Sequence, residues 1–96
     1  VKIRRVIWLY QIRDKILRKH GVRTVEVEET LRSRPVFRFV QRGNRKREDV
    51  YSALGRADSG RLLIVFFVYK LSEDALIISA RDMDAKERRL HEKAKR

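Results

Sequence analysis

Apolar and polar positions change their period several times along this chain, and each change marks an element. The opening stretch IRRVIW, residues 3–8, fits an edge strand or the lead-in to a helix. Leu9, Ile12, Ile16 and Leu17 then recur at the spacing of one helix face. Gly21 ends that helix, because glycine takes up left-handed backbone without strain. Thr24 reads as the cap of a second, short helix, whose Glu26, Glu28 and Glu29 complement the positive end of its dipole. Val27 and Leu31 point to the core, and Glu28 is spaced to pair with Arg32.

Pro35 blocks any continuation of that helix, and PVFRFV sets Phe37 and Phe39 against Val36, Arg38 and Val40 with the period of a strand. QRGNRKRED, residues 41–49, reads as an exposed turn. VYSALGR is a second strand, ADSG a tight turn, and RLLIVFFVYK an apolar run without alternation, as expected of a central strand covered on both faces. After the turn LSED, ALIISA places Leu76, Ile78 and Ala80 in one row, with Ile77, Ser79 and Arg81 in the other. Arg81 closes its row. Asp84 with Glu87 has the spacing of a capping box for a last helix, whose apolar contacts are almost confined to Leu90 and Ala94. The order predicts an α+β fold in one domain, residues 1–96: two N-terminal helices, a four-stranded antiparallel meander sheet with room for an extra N-terminal edge strand, and a C-terminal helix.

Charge changes this picture more than composition does. Twenty-five Lys and Arg stand against thirteen Asp and Glu, a formal charge of +12 in 96 residues. So large a surplus on a small domain favours a polyanionic partner such as RNA, DNA or an acidic protein. With no cysteine, disulfides and thiolate metal sites are excluded, and two histidines far apart are a poor basis for a metal centre. No metal or cofactor is expected. VIWLY, the longest apolar run of the basic N-terminus, is far shorter than a signal h-region or a membrane span, so the expectation is a cytoplasmic protein without membrane contact.

No P-loop, Rossmann glycine pattern, nucleophile elbow or HExxH motif occurs, and what remains is cationic and aromatic. Cleavage of RNA by its own 2′-hydroxyl requires proton transfers and cations where phosphorane charge develops, and His, Tyr, Arg and Lys supply these without metal. His20, beside Arg18 and Lys19 at a helix end, is one candidate, although a terminal histidine often only caps carbonyls. Arg81, at a strand end beside a helix start, can offer a planar fork to phosphate, or can equally pair with a carboxylate. Tyr51 can stack on a base, but core filling is the commoner fate of such a ring, as it is for Trp8. Arg42, Arg45, Lys46 and Arg47 form either a solvated turn or a contact to phosphate backbone.

Trp8, RKHGV (18–22), VYSALGR (50–56), GRLLIVFF (60–67) and IISARDMDAKERR (77–89), in that order, resemble the BrnT family of bacterial toxin components over about residues 6 to 93. The resemblance implies a fold similar to the RelE ribonucleases, and inhibition of translation through RNA cleavage. It also implies neutralisation by a small ribbon-helix-helix antitoxin, which alone brings the pair to operator DNA, with a homodimer or a heterotetramer with antitoxin as the assembly. By position, the family pattern falls on Trp8, Lys19, His20, Gly21, Tyr51, Gly55, Ser79, Arg81 and Glu87, with Arg88 beside the last. The chain departs from it at Leu9, Val50 and His91, where the family often has an acidic residue, an arginine and a tyrosine. Arg45, Arg47 or Arg56 can supply the charge missing at Val50.

Three readings follow. In the first, a metal-independent endoribonuclease uses His20 to move a proton, Arg81 to stabilise phosphate charge and Tyr51 to stack or hydrogen-bond. Lys19, Arg42, Arg45, Lys46, Arg47, Arg56 and Arg88 then hold the backbone. The second is a basic module that binds RNA or DNA without cutting it, and the third a surface built to receive an acidic protein.

Overall fold

The computed structural model describes residues 1–44 and 48–95. Its elements are β1 (Arg5–Ile7), α1 (Tyr10–His20), α2 (Thr24–Arg32), β2 (Val36–Gln41), β3 (Asp49–Arg56), β4 (Leu62–Tyr69), β5 (Asp74–Asp82) and α3 (Ala85–Ala94). One sheet of order β1-β5-β4-β3-β2 results. The meander from β2 to β5 is antiparallel throughout, and the N-terminal edge strand is present, running parallel to β5. Among the described residues, no helix is long and apolar enough to cross a membrane.

Helices α1 and α2 cover one face of the sheet. Ile16, Val22 and Val27 pack there against Ala53, Leu63, Val65, Phe67, Ala75, Ile77 and Ala80, all nearly inaccessible to solvent. The stripe on α1 is narrower than its periodicity indicates: Leu9 and Leu17 face solvent, and Ile12 and Ile16 alone make the contact. Gly21, at φ 64°, turns the chain out of α1. Arg23, not Thr24, caps α2, since its extended backbone lets the Glu26 carboxylate accept the Arg23 N–H at 3.0 Å. Glu28 does not pair with Arg32; it accepts the indole N–H of Trp8 at 3.1 Å, tying α2 to the residue after β1.

The other face is only partly covered. Leu54, Ile64 and Met83 form a small second cluster with Val36, Leu62 and Phe66 near α3. The central strand β4 is therefore enclosed on one face and only half-covered on the other, where Phe66 and Val68 keep some exposure. Few apolar side chains hold α3. Leu90 is half-buried and Ala94 exposed, while His91 is the residue of α3 that is buried. Polar tethers do the rest: Arg81 grips Glu87, the Arg88 guanidinium donates to the Met83 carbonyl, and Lys95 donates to the Arg34 carbonyl.

Strand parity changes inside β5. Phe66 pairs with Ser79 but Phe67 pairs with Ile77, so one extra residue, Ile78, is bulged out between them. Before the bulge Ala75 and Ile77 face α1 and α2, and after it Ala80 and Asp82 do. The expected row of Ile77, Ser79 and Arg81 is thus broken: Ser79 and Arg81 lie on the α3 face, beside Phe66 and Ile64. A bulge adds one residue to the alternation, and so exchanges the faces of everything after it.

Gly55 lies where α2 and the following turn come closest to the sheet. A Cβ there would stand 2.8 Å from the Ser33 hydroxyl and 3.0 Å from Pro35 Cβ and Thr30 Cγ2, surrounded on three sides. Gly55→Ala is expected to lower unfolding free energy by about 1–3 kcal/mol through overpacking. A urea titration checks this, and an unchanged midpoint would mean that α2 can move away freely.

Candidate functional site

The end of β5 carries two adjacent charges that serve opposite faces. The Arg81 fork donates to both carboxylate oxygens of Glu87, at 2.8 and 2.9 Å, and lies 5.7 Å above the Phe66 ring. Glu87 also accepts the Asp84 N–H at 2.9 Å, while the Asp84 carboxylate accepts the Glu87 N–H at 2.8 Å. This is the capping box expected from the sequence, with an arginine added to it. The hydrogen bond from Arg81 holds the Glu87 carboxyl below its usual range.

Asp82 points the other way and takes two hydrogen bonds from Arg61, at 2.7 and 3.0 Å. The same guanidinium donates to the carbonyls of Gly21 and His20, at 2.9 and 3.1 Å, and reaches Glu26 at 3.3 Å. Arg61 thus joins β4, the end of β5, the α1 terminus and the first turn of α2. Its hydrogen bond lowers the Asp82 pKa, and the Glu26 pKa is lowered first by the Arg23 N–H and then by Arg61.

These contacts locate the residues singled out in the sequence. His20 ends α1 half-buried, near Asp82 on the α1 and α2 face, and Lys19 beside it is exposed. Tyr51 lies on that face too, but among aromatics: its ring stacks on Phe67 at 6.2 Å and meets Phe39 and Tyr69 edge-on, each at 5.8 Å. Tyr51 is level with Phe67, four positions along β4 from Leu63, which is level with Asp82. At strand rise, that separation is about 13 Å. Arg81 is on the opposite face. The structure therefore does not bring His20, Tyr51 and Arg81 together. Arg42 is exposed beyond β2, while Arg45, Lys46 and Arg47 lie outside the described residues.

Other cations do converge. Arg56, at the end of β3, and Arg88 line an open cleft of about 690 Å³ with Arg89, Lys95, His91 and Leu62. Glu92 also borders it. A second cleft of about 410 Å³ adjoins, shares Arg56, His91 and Lys95, and continues past Ser33 and Asp58. Among the described residues, Arg56 has no carboxylate partner for its guanidinium. Arg56 and Arg88 were legible in the sequence as cations; Arg89, Lys95 and His91 were not. The signal was present in the spacing of Glu87, His91 and Lys95, four residues apart on one side of α3. Among the described residues, no group of three or more His, Asp or Glu side chains is placed to hold a metal ion.

A meander sheet backed by two helices, with a third helix at its end, has a counterpart of similar fold among solved structures. The 1.1 Å crystal structure of the Brucella abortus ribonuclease toxin BrnT superposes with a TM-score of 0.59 at 22% identity, covering 83% of this chain and 96% of that one. The chain belongs to the BrnT family: the family model for "Ribonuclease toxin, BrnT, of type II toxin-antitoxin system" matches residues 8–87. A sequence search of curated proteins gives no match.

Both carboxylates around Arg61 have lowered pKa values, so their stabilising effect is complete above the ordinary carboxylate range near 4. It is lost as pH falls through the lowered values. Arg61→Gln is expected to cost about 1–2 kcal/mol near neutrality, given the partial exposure of the network, and to flatten the loss of stability between about pH 5 and 3. Urea unfolding at a series of pH values measures both. An acid limb of unchanged steepness in the variant would place the acid sensitivity elsewhere.

Proposed function

We propose that this protein cleaves RNA without a metal ion, and so inhibits translation, and that a small ribbon-helix-helix antitoxin holds it inactive in the cytoplasm. In this reading operator DNA is met only through the antitoxin. The observation that carries the reading is the convergence of Arg56, Arg88, Arg89 and Lys95 on two joined clefts in a member of a ribonuclease-toxin family. Guanidinium and ammonium groups there provide the positive charge that a phosphorane-like transition state needs. The clefts are open, as a chain substrate requires, and their cations are spread along them rather than focused on a point.

Arg81 acts at the margin of this surface. Glu87 fixes the plane of its fork, and the half-covered face around Phe66 leaves an aromatic surface beside it on which a base can stack. Lys19 and Arg42 add positive charge farther out along the RNA. No proton is routed through His20 or Tyr51 in this reading, because neither lines the clefts. A second reading has a specific observation in its favour: Arg81 is already saturated by Glu87 and the aromatic ring of Tyr51 is packed, which suits a surface that binds RNA without cutting it.

Labelled RNA incubated with purified protein in excess EDTA is expected to yield fragments with 5′-hydroxyl ends. Arg56→Gln is expected to slow cleavage about 100-fold with the fold retained by circular dichroism. Salt-sensitive binding with no fragments over the time course would select the binding module instead.

A further inference from the structure

His91 is the residue of α3 most removed from solvent, at 9% exposure, yet its ring nitrogens, which no protein group pairs among the described residues, open onto the cleft. A ring whose body is buried and whose nitrogens face a cleft can exchange a proton with whatever lies in that cleft. Its position is also particular. The two clefts meet at His91, Arg56 and Lys95, the three residues that border both, so a nucleic-acid strand running from one cleft into the other crosses the imidazole.

The groups around the ring are mainly cationic. Arg56 faces it from the end of β3, Lys95 from the next turn of α3, and Arg88 from the previous one, with Asp58 and Glu92 on the cleft walls. Burial first, and then the positive charges of Lys95 and Arg56, push the His91 pKa below its ordinary value. The free protein therefore holds a neutral imidazole at neutral pH, the form that can accept a proton.

We propose that His91 is the proton-accepting catalytic residue of this surface, seated between Arg56 and Lys95 where the scissile phosphodiester of an RNA strand passes from one cleft to the other. The assignment rests on the ribonuclease reading above and gives it a residue. The imidazole takes the proton of a 2′-hydroxyl as that oxygen bonds to the adjacent phosphorus. The bond from phosphorus to the 5′-oxygen breaks, and the leaving oxygen takes a proton from water. The products are a 2′,3′-cyclic phosphate and a 5′-hydroxyl, with no oxidant, reductant or metal required. Arg56 and Lys95 have two effects in sequence. Before binding they keep the ring neutral, and once a phosphate lies between them their field is offset, so the ring becomes more basic when the proton must move.

Two measurements test this on the full chain. In the first, wild type and His91→Gln cleave labelled RNA in EDTA from pH 5 to 9, with circular dichroism as the check on folding. The variant is expected to lose about 100-fold in kcat at pH 7 with RNA affinity within about threefold, and to lose the rise of rate with pH that the imidazole gives the wild type. Equal rates and an equal profile would overturn the proposal. In the second, the His91 ring is titrated by NMR in the wild type, alone and with a 2′-O-methyl RNA oligomer that cannot be cut. An upward shift of at least one pH unit on binding is expected, and a midpoint unmoved by bound oligomer would overturn the proposal even if the variant fails to fold. Wild type that binds the oligomer and shifts His91, but cuts no RNA, would count against the ribonuclease reading and with it the catalytic role. Cleavage by wild type and by His91→Gln alike would count against His91 alone.

Discussion

One extra residue in β5 determines where both helical layers attach. Without the bulge at Ile78, Arg81 would face α1 and α2 while Asp82 faced α3. The Arg61 guanidinium would then have no carboxylate at the strand end, and the capping box of α3 would have no arginine. With the bulge, two consecutive side chains serve opposite faces: Asp82 joins the four-way contact around Arg61, and Arg81 clamps the first turn of α3. An ion pair of this kind is worth little when fully exposed. Here each pair adds to backbone groups already in place, the carbonyls of His20 and Gly21 on one face and the Asp84 N–H on the other, so the charge fixes geometry that hydrogen bonds have begun.

Element order and type were legible in the sequence because they rest on local signals. Gly21, Pro35 and the Asp84 to Glu87 spacing act within a few residues of themselves, and each ends or starts an element where its chemistry requires. The bulge was not legible. ALIISARD alternates plausibly in either parity, and the shift appears only when the strand is laid against Phe66 and Phe67. The cap of α2 was hidden for a similar reason: Thr24 has the right side chain, but the backbone N–H that Glu26 receives belongs to Arg23.

For the site, the grouping of the candidate residues was not legible: Arg56 and Arg88 line one cleft, whereas face and level in the sheet separate His20, Tyr51 and Arg81. His91 stood out only as a departure from the family pattern, because KERRLHEKAK reads as a solvated helix and hydropathy gives no hint that one polar side chain of it is buried. Long side chains, Arg88 and Lys95 among them, tether α3 to backbone carbonyls and at the same time line the cleft beside it.

The pairing of β1 with β5 sets the timetable of assembly. Arg5 lies opposite Asp74 and donates to its buried carboxylate, a contact across 69 residues of chain. Contacts so distant in sequence carry the largest loop-closure entropy and form late. Among the described residues β5 is the partner strand of β1, so β1 stays unpaired until β5 has formed. Val6 stays uncovered until then, and a chain interrupted between the two strands keeps β1 unpaired. The pairing of this edge strand therefore closes the sheet and does not begin it.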